Sequence, residues 1–273
     1  MNRRNFFKYT ASGIVLPSII TSLNADELSV AKNKYFPLDA IYKQSTPLDP
    51  SEDIILDKNH EKIFYSVRKK IALVQRYVGY GNFNIISFDD TIKIAKIAKS
   101  IEAFTKEEKD FLEFIFYHDP IEQGFYGEKI SLNITDRINK KEVKKIPRTG
   151  HYLFKGKSEG IYEEMKKDIG NTLVLTSGVR SVMKQTKLFL DKLYHSKNNL
   201  SVTSRSIAPP AYTYHSIGDF DVGKKGLGYS NFTARFALTE EFLKMRKLRY
   251  IEMRYTINNK DGVRYEPWHV KII

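Results

Sequence analysis

The chain has no cysteine in its 273 residues. That excludes disulfide bridges and thiolate metal sites, so any bound metal must be held by histidine and carboxylate. Tryptophan occurs once, as Trp268. Long apolar runs are missing too. The most apolar early stretch, from Tyr9 to Ile20, is broken by Gly13, Pro17 and Ser18 and is too short for a permanent membrane span. There is no internal repeat and no low-complexity segment. Acid is scarcer than base: 32 Asp and Glu stand against 45 Lys and Arg, a formal charge of +13.

What is present begins with an address. Asn2-Arg3-Arg4-Asn5-Phe6-Phe7-Lys8 before the weak apolar run reads as a twin-arginine export signal over residues 1–25, with a cut after Ala25. The ordinary alternative is a basic N-terminal arm. A Tat signal implies a protein exported already folded, to the periplasm or cell surface, with no stable membrane span after cleavage. Residues 1–25 hold Arg3, Arg4 and Lys8 and no acid, so the mature chain keeps +10. Such a charge calls for an anionic partner. Peptidoglycan peptides and anionic lipids fit it. Nucleic acid fits the charge but not the address, so it is not expected as a partner. Lysines such as Lys93, Lys96 and Lys99 are spaced as a solvated helix face.

Residues 26–50, with Pro37, Pro47 and Pro50, read as a lead-in with little regular structure. Ile63, Phe64, Val67, Ile71, Val74 and Tyr77 recur at three and four, which predicts a helix over His60 to Tyr77, ended by Gly79 and Gly81. Asp89 and Asp90 are expected to cap a second helix through about Ala103, with Ile92, Ala95, Ile97 and Ile101 inward. Thr105-Lys106-Glu107-Glu108 is a capping box opening a third helix that ends before Pro120. Residues 26–150 thus form a mainly helical N-terminal region. Further on, a helix from Ser158 to Gly170, a strand at Leu173 to Leu175 and a helix from Ser181 to Leu193 are expected. A polar loop over residues 196–213, a strand around Phe220 and Val222, and a helix capped by Thr239 follow. A hairpin of Tyr250 to Ile257 and Val263 to Ile272 closes the chain. Helices beside an antiparallel hairpin give an α+β class.

Three segments stand out. The chain ends in Tyr265-Glu266-Pro267-Trp268-His269-Val270-Lys271, a carboxylate and an imidazole three residues apart. Upstream lie Ser177-Gly178-Val179-Arg180-Ser181 with Gln185, and Tyr214-His215-Ser216-Ile217-Gly218-Asp219-Phe220-Asp221. In this order they resemble the zinc D-alanyl-D-alanine carboxypeptidases of the VanY type, within the LAS metallopeptidases. The resemblance covers about residues 150–273, so residues 151–273 are expected to be a VanY-like zinc peptidase domain. It implies a small antiparallel sheet with flanking helices, preceded by the helical N-terminal region.

The resemblance implies Zn2+ held by His215, Asp221 and His269. Glu266 is then the general base. Arg180 faces the substrate, gripping a carboxylate or the developing oxyanion. Gln185, Ser177, Thr213 and Trp268 line the substrate pocket, and His151 is a further pocket candidate. One departure is specific: the family pattern places an aspartate seven residues after the first histidine, where this chain has Val222. Asp221 is preferred as ligand and Asp219 is the alternative. Six residues along an unbroken strand would put His215 and Asp221 on one face. On an ideal strand Glu266 and His269 would face apart, and Pro267 is expected to kink the chain and bring them together. Each segment alone has a structural reading: an arginine paired to an acid, a turn with solvated aspartates, an edge strand with a solvated glutamate.

The expectation is an exported zinc-dependent peptidase of peptidoglycan stem peptides, a D-alanyl-D-alanine carboxypeptidase. Same-chemistry rivals are an L,D-carboxypeptidase and a cross-link endopeptidase. A rival of another class is a non-catalytic peptidoglycan-binding protein with a degenerate metal site. The oligomeric state is not encoded in any feature of the sequence.

Overall fold

The computed structural model describes residues 53–272. The export signal and the lead-in expected over residues 1–50 lie outside the described residues. Helix α1 (Lys58–Val78) is capped by the Asp57 side chain, which accepts from the backbone N–H groups of Asn59 and His60. It buries Phe64, Val67, Ile71 and Val74, the three-and-four spacing of one helix face. Tyr77, expected inward, is 59% exposed.

Helix α2 (Phe88–Ile97) is capped by Ser87 rather than by the aspartates. Asp89 and Asp90 sit in its first turn, where the helix dipole favours them. It stops well before Ala103, and Ile97 faces out, whereas Ile101 reaches the core from the following turn. Helix α3 (Lys106–Tyr117) carries the expected capping box, with Thr105 and Glu108 bonded reciprocally. Among the described residues no helix is long and apolar enough to cross a membrane.

A two-stranded antiparallel ribbon follows, β1 (Val143–Lys145) and β2 (Tyr152–Phe154). Helix α4 (Lys157–Ile169) leads into β3 (Leu173–Ser177). Helix α5 (Val182–His195), capped by Ser181, and the short α6 (Leu200–Ser204) come next. After them lie β4 (Phe220–Lys224), α7 (Glu240–Met245), β5 (Glu252–Met253) and β6 (His269–Lys271). The second sheet is antiparallel throughout, in the order β3-β4-β6-β5. The α+β class is therefore what the structure shows. The closing hairpin is far shorter than expected: only Glu252 and Met253 pair with Val270 and Lys271, and residues 254–268 are irregular. The loop expected over residues 196–213 holds α6.

The helices α1 to α3 and α5 bury one continuous core, in which Phe64, Ile71, Phe83, Phe111 and Phe116 meet Met183, Phe189 and Leu190. Helix α5 has two jobs. Its inner face joins this core, and its other side, with the sheet, frames the site.

Candidate metal centre

Strand pairing sets the centre. Asp221 on β4 lies directly opposite His269 on β6, and opposed residues of an antiparallel pair share one face with side chains in reach. His215 arrives differently from the expectation. It sits in a 3-10 turn, Tyr214–Ser216, and not on a strand. The turn is closed by Gly218 and Asp219 N–H groups donating to the Tyr214 carbonyl. Gly218, at φ +147, makes the exit into β4.

Each imidazole has one nitrogen committed. His215 Nδ1 lies 2.9 Å from the Gly178 carbonyl oxygen, which makes it the donor and turns the Nε2 lone pair inward. His269 Nε2 lies 3.0 Å from Asp219 Oδ2, which leaves Nδ1 as the inward atom. Both inward nitrogens face the same oxygen. Asp221 Oδ1 is 3.3 Å from His215 Nε2 and 3.4 Å from His269 Nδ1. One ligand-capable atom from each of the three residues lies within 4.8 Å of the others.

This arrangement fits a metal on its own terms. His215 Nε2 and Asp221 Oδ1 are buried and have no hydrogen-bond partner. Buried polar atoms are almost always satisfied, and orphans that converge are the donor set of a cation. Two imidazoles and one carboxylate make a three-ligand site of the kind catalytic zinc uses. Asp219 is not part of the trio. It holds His269 from behind, accepts from Ile272 N–H at 2.8 Å and is bound by the Arg254 guanidinium. That is the outer carboxylate that fixes a ligand imidazole.

The charges follow from the same contacts. Burial alone would raise the Asp221 carboxyl, but His215 and Arg180 outweigh it and hold it well below the usual range. Burial likewise opposes ionised Asp219, yet hydrogen bonds from His269 and Arg254 bring it down to about 2. Burial, with Arg180 nearby, pushes His215 down toward the neutral form. His269 goes the other way. Burial resists its charge, but hydrogen bonds to Asp219 and Glu266, with Asp221 beside it, raise it to about 9.

Glu266 stands next to the trio, its Oε2 3.5 Å from His269 Nδ1. The expected kink takes the form of a turn: the His269 N–H donates to the Glu266 carbonyl across Pro267 and Trp268, so the two side chains meet at i and i+3. Glu266 Oε1 also lies 3.7 Å from Arg264 Nε.

Arg180 was expected to face substrate. It lines the cavity, but its guanidinium is also engaged. It donates to Asp221 Oδ2 at 2.5 Å, to Ser177 Oγ at 2.9 Å and to Gln185 Oε1 at 3.4 Å. Asp221 thus offers its outer oxygen to Arg180 and its inner one to the trio. Ser177 and Gln185 act as supports for Arg180, and Gln185 is itself pinned to the Ala208 carbonyl at 2.7 Å. Gly178 permits this turn, because a Cβ there would come within 2.0 Å of the Tyr152 carbonyl oxygen. Thr213 is buried at the cavity wall. Trp268 is buried, edge-on to Phe232 and beneath the Arg264 guanidinium, and also borders the cavity. His151 lines it as well, pushed by burial and by Lys184 and Arg180 down to about 4. The remaining histidines stay outside the centre; His60, for example, pairs with Asp57.

The cavity beside the trio has a volume of about 330 Å3, the scale of a small ligand or a short peptide segment. Sequence reasoning missed Arg254, whose guanidinium lies 3.4 Å from the Tyr214 ring centre while it holds Asp219. It also missed Tyr255, which stands edge-on to His269. Their only sequence signal is adjacency in the segment before the last strand.

A buried His-Asp-His trio with an adjacent glutamate is a three-ligand candidate metal site beside a candidate proton acceptor. Residues 157–273 match the family described as VanY, D-alanyl-D-alanine carboxypeptidase. No curated protein matches the chain. Among solved structures it is similar to a vancomycin-resistance D,D-pentapeptidase VanY in complex with Zn(II) and to VanYB in complex with D-alanine-D-alanine. Each is 17% identical and covers 55% of this chain and 86% of the other, at a TM-score of 0.39. The LdcB LD-carboxypeptidase is 20% identical, over 55% of this chain and 68% of its own, at a TM-score of 0.36.

Proposed function

We propose that the protein is an exported zinc-dependent peptidase of peptidoglycan stem peptides, acting as a D-alanyl-D-alanine carboxypeptidase. The observation that carries the reading is the convergence of two unpartnered inward atoms, His215 Nε2 and Asp221 Oδ1, with His269 Nδ1, beside Glu266. The family of residues 157–273 supports the substrate class. The Arg3-Arg4 sequence supports export through the Tat pathway.

His215, Asp221 and His269 would hold the ion. When bound, zinc polarises a peptide carbonyl and brings the pKa of a water toward 7. The protein's own residues do the rest. Glu266 takes a proton from the attacking water on its carboxylate and returns it to the leaving amine. Asp219 keeps His269 in the tautomer whose Nδ1 faces the trio. Arg180 holds the outer oxygen of Asp221, and its remaining N–H groups are placed to meet negative charge developing on the substrate. The one-residue-short spacing from His215 to Asp221, the best support for a non-catalytic relative, still leaves the two inward atoms 3.3 Å apart.

The test is digestion of purified muropeptides by wild type and Glu266→Ala, read by mass spectrometry with metal content measured in parallel. Wild type is expected to remove one alanine from pentapeptides. Glu266→Ala is expected to keep its metal and lose about 10²–10⁴-fold in rate. Unchanged pentapeptide after incubation with metal-loaded wild type would sink the reading.

A further inference from the structure

Helix α5 presents a half-exposed stripe to the cavity: Lys184, Leu188 and Lys192, four residues apart. Residues at this spacing stack along one helix face. Neither lysine has an ion-pair or hydrogen-bond partner among the described residues. Lys187, one turn along the same helix from Lys184, is paired with Asp191, and Arg68 takes the same aspartate. The acid on this helix is thus already paired and reaches Lys184 only as a longer-range attraction, so neither cavity-facing cation has a carboxylate in contact.

The two lysines belong to different ends of the cavity. Lys184 is next to Arg180 and feels its charge, and His151 feels both. Lys192 feels Arg264 instead, and Arg264 Nε is buried with no hydrogen-bond partner beside Glu266. The trio and Glu266 lie between these two cationic ends. Along the helix the lysine backbones are about 12 Å apart, the reach of about three to four extended residues. Among the described residues the acids on the cavity wall are Asp221 and Glu266, which belong to the centre itself. Burial costs each ammonium part of its charge stability and pushes Lys184 down to about 8. An incoming carboxylate would restore that stability.

We propose that Lys184 and Lys192 are specificity-determining residues that hold two carboxylates of one peptide, one on each side of the catalytic centre. The inference rests on the peptidase reading for the bond that is cut, but not for the recognition itself. The substrate class is a short peptide with a free C-terminal carboxylate and a second carboxylate about three to four residues upstream. Amidation of either acid weakens it as a ligand.

The test uses four synthetic stem pentapeptides: both carboxylates free, the terminal one amidated, the upstream one amidated, and both amidated. Binding is read by the fluorescence of Trp268, the sole tryptophan, and hydrolysis by mass spectrometry. Wild type, Lys184→Met, Lys192→Met and the Lys→Arg versions are compared. In wild type each amidation is expected to weaken binding about tenfold or more. Each Met variant is expected to lose discrimination at one carboxylate only, and the Arg version to restore it. Discrimination that survives intact in both Met variants overturns the proposal, even if hydrolysis is normal. Selective loss of discrimination with no hydrolysis by any protein sustains this inference while defeating the peptidase reading. A Met variant that fails to fold is replaced by its Arg counterpart and Lys→Gln, judged by the same criterion.

Discussion

The helical layer and the sheet end of the molecule both bury ionisable groups, and they treat them in opposite ways. In the helical layer Lys70 and Glu108 are each almost fully buried and 2.7 Å apart. Lys70 also donates to the Ala103 carbonyl, and Glu108 accepts from Ser66 and from the Thr105 N–H. Burial alone would raise Glu108, but Lys70 and Ser66 more than reverse it. Both Glu108 oxygens there have a donor. At the sheet end, Asp221 Oδ1 and His215 Nε2 are buried without one. The first arrangement holds two helices together. The second leaves donor atoms aimed at a common point, which has no structural use unless a cation fills it.

This contrast can be broken at either end. The largest effect is expected from removing a ligand. His269→Ala or Asp221→Ala should lower metal affinity well beyond the about 10–100-fold that outer contacts are worth. Each deletion also removes a protein contact, Arg180 to Asp221 or Asp219 to His269, so the melting temperature should fall as well, and affinity is read on the folded protein. Titration with a competing chelator measures the first and thermal melts the second. Wild-type affinity in His269→Ala would rule out the trio. In the helical layer the reverse should hold. Lys70→Met leaves Glu108 buried without its cation, which costs about 3–5 kcal/mol of stability. Metal affinity should not change. If Lys70→Met weakened metal binding as much as stability, the two regions would not be separable in this way.

A finer cut separates the two aspartates. Asp219→Asn keeps the shape but replaces one acceptor oxygen of Asp219 with an amide. It should cost about 10–100-fold in metal affinity, well short of the loss in Asp221→Ala. Equal losses in the two variants would mean that Asp219 is itself a ligand.

Much of this site was legible as residue words and little of it as geometry. Ser181 capping α5, the Thr105 box and the order of the three site segments follow from short-range rules of spacing and capping. The roles within the site do not. His215 was placed by a strand argument and sits in a 3-10 turn, since nothing local distinguishes a tight turn from an extended entry to β4. The reach of Asp219 to His269 depends on the pairing of β4 with β6, fifty residues apart, and so does the choice between the aspartates. Arg254 had no motif at all, because its role exists only once the last strands are adjacent. Ile97 and Tyr77 had the right periodicity to face inward, but they lie at helix ends where no neighbour covers them.

The smallest expected effect links the two ends of the comparison through pH. Metal-free His269 titrates at about 9 against 6.5 for an ordinary histidine, so between those values the folded protein holds a proton that the unfolded chain has released. The stability it contributes is full below about pH 6.5 and is lost as pH rises through about 9. For one proton the slope is at most about 1.4 kcal/mol per pH unit. A metal-bound imidazole must be neutral, so metal should flatten this slope, and metal uptake near neutral pH should release a proton. Melts of chelator-treated and zinc-loaded protein across pH 6.5 to 9.5 read the effect directly. His269→Ala should lose this falling slope with or without metal, leaving only a rising trend above about pH 8 from Lys184, whose folded value is lowered to about 8, while Lys70→Met should keep the wild-type slope at lower overall stability. A falling slope that persists in His269→Ala would place the titrating group elsewhere and remove the argument that His269 carries its proton until the cation arrives.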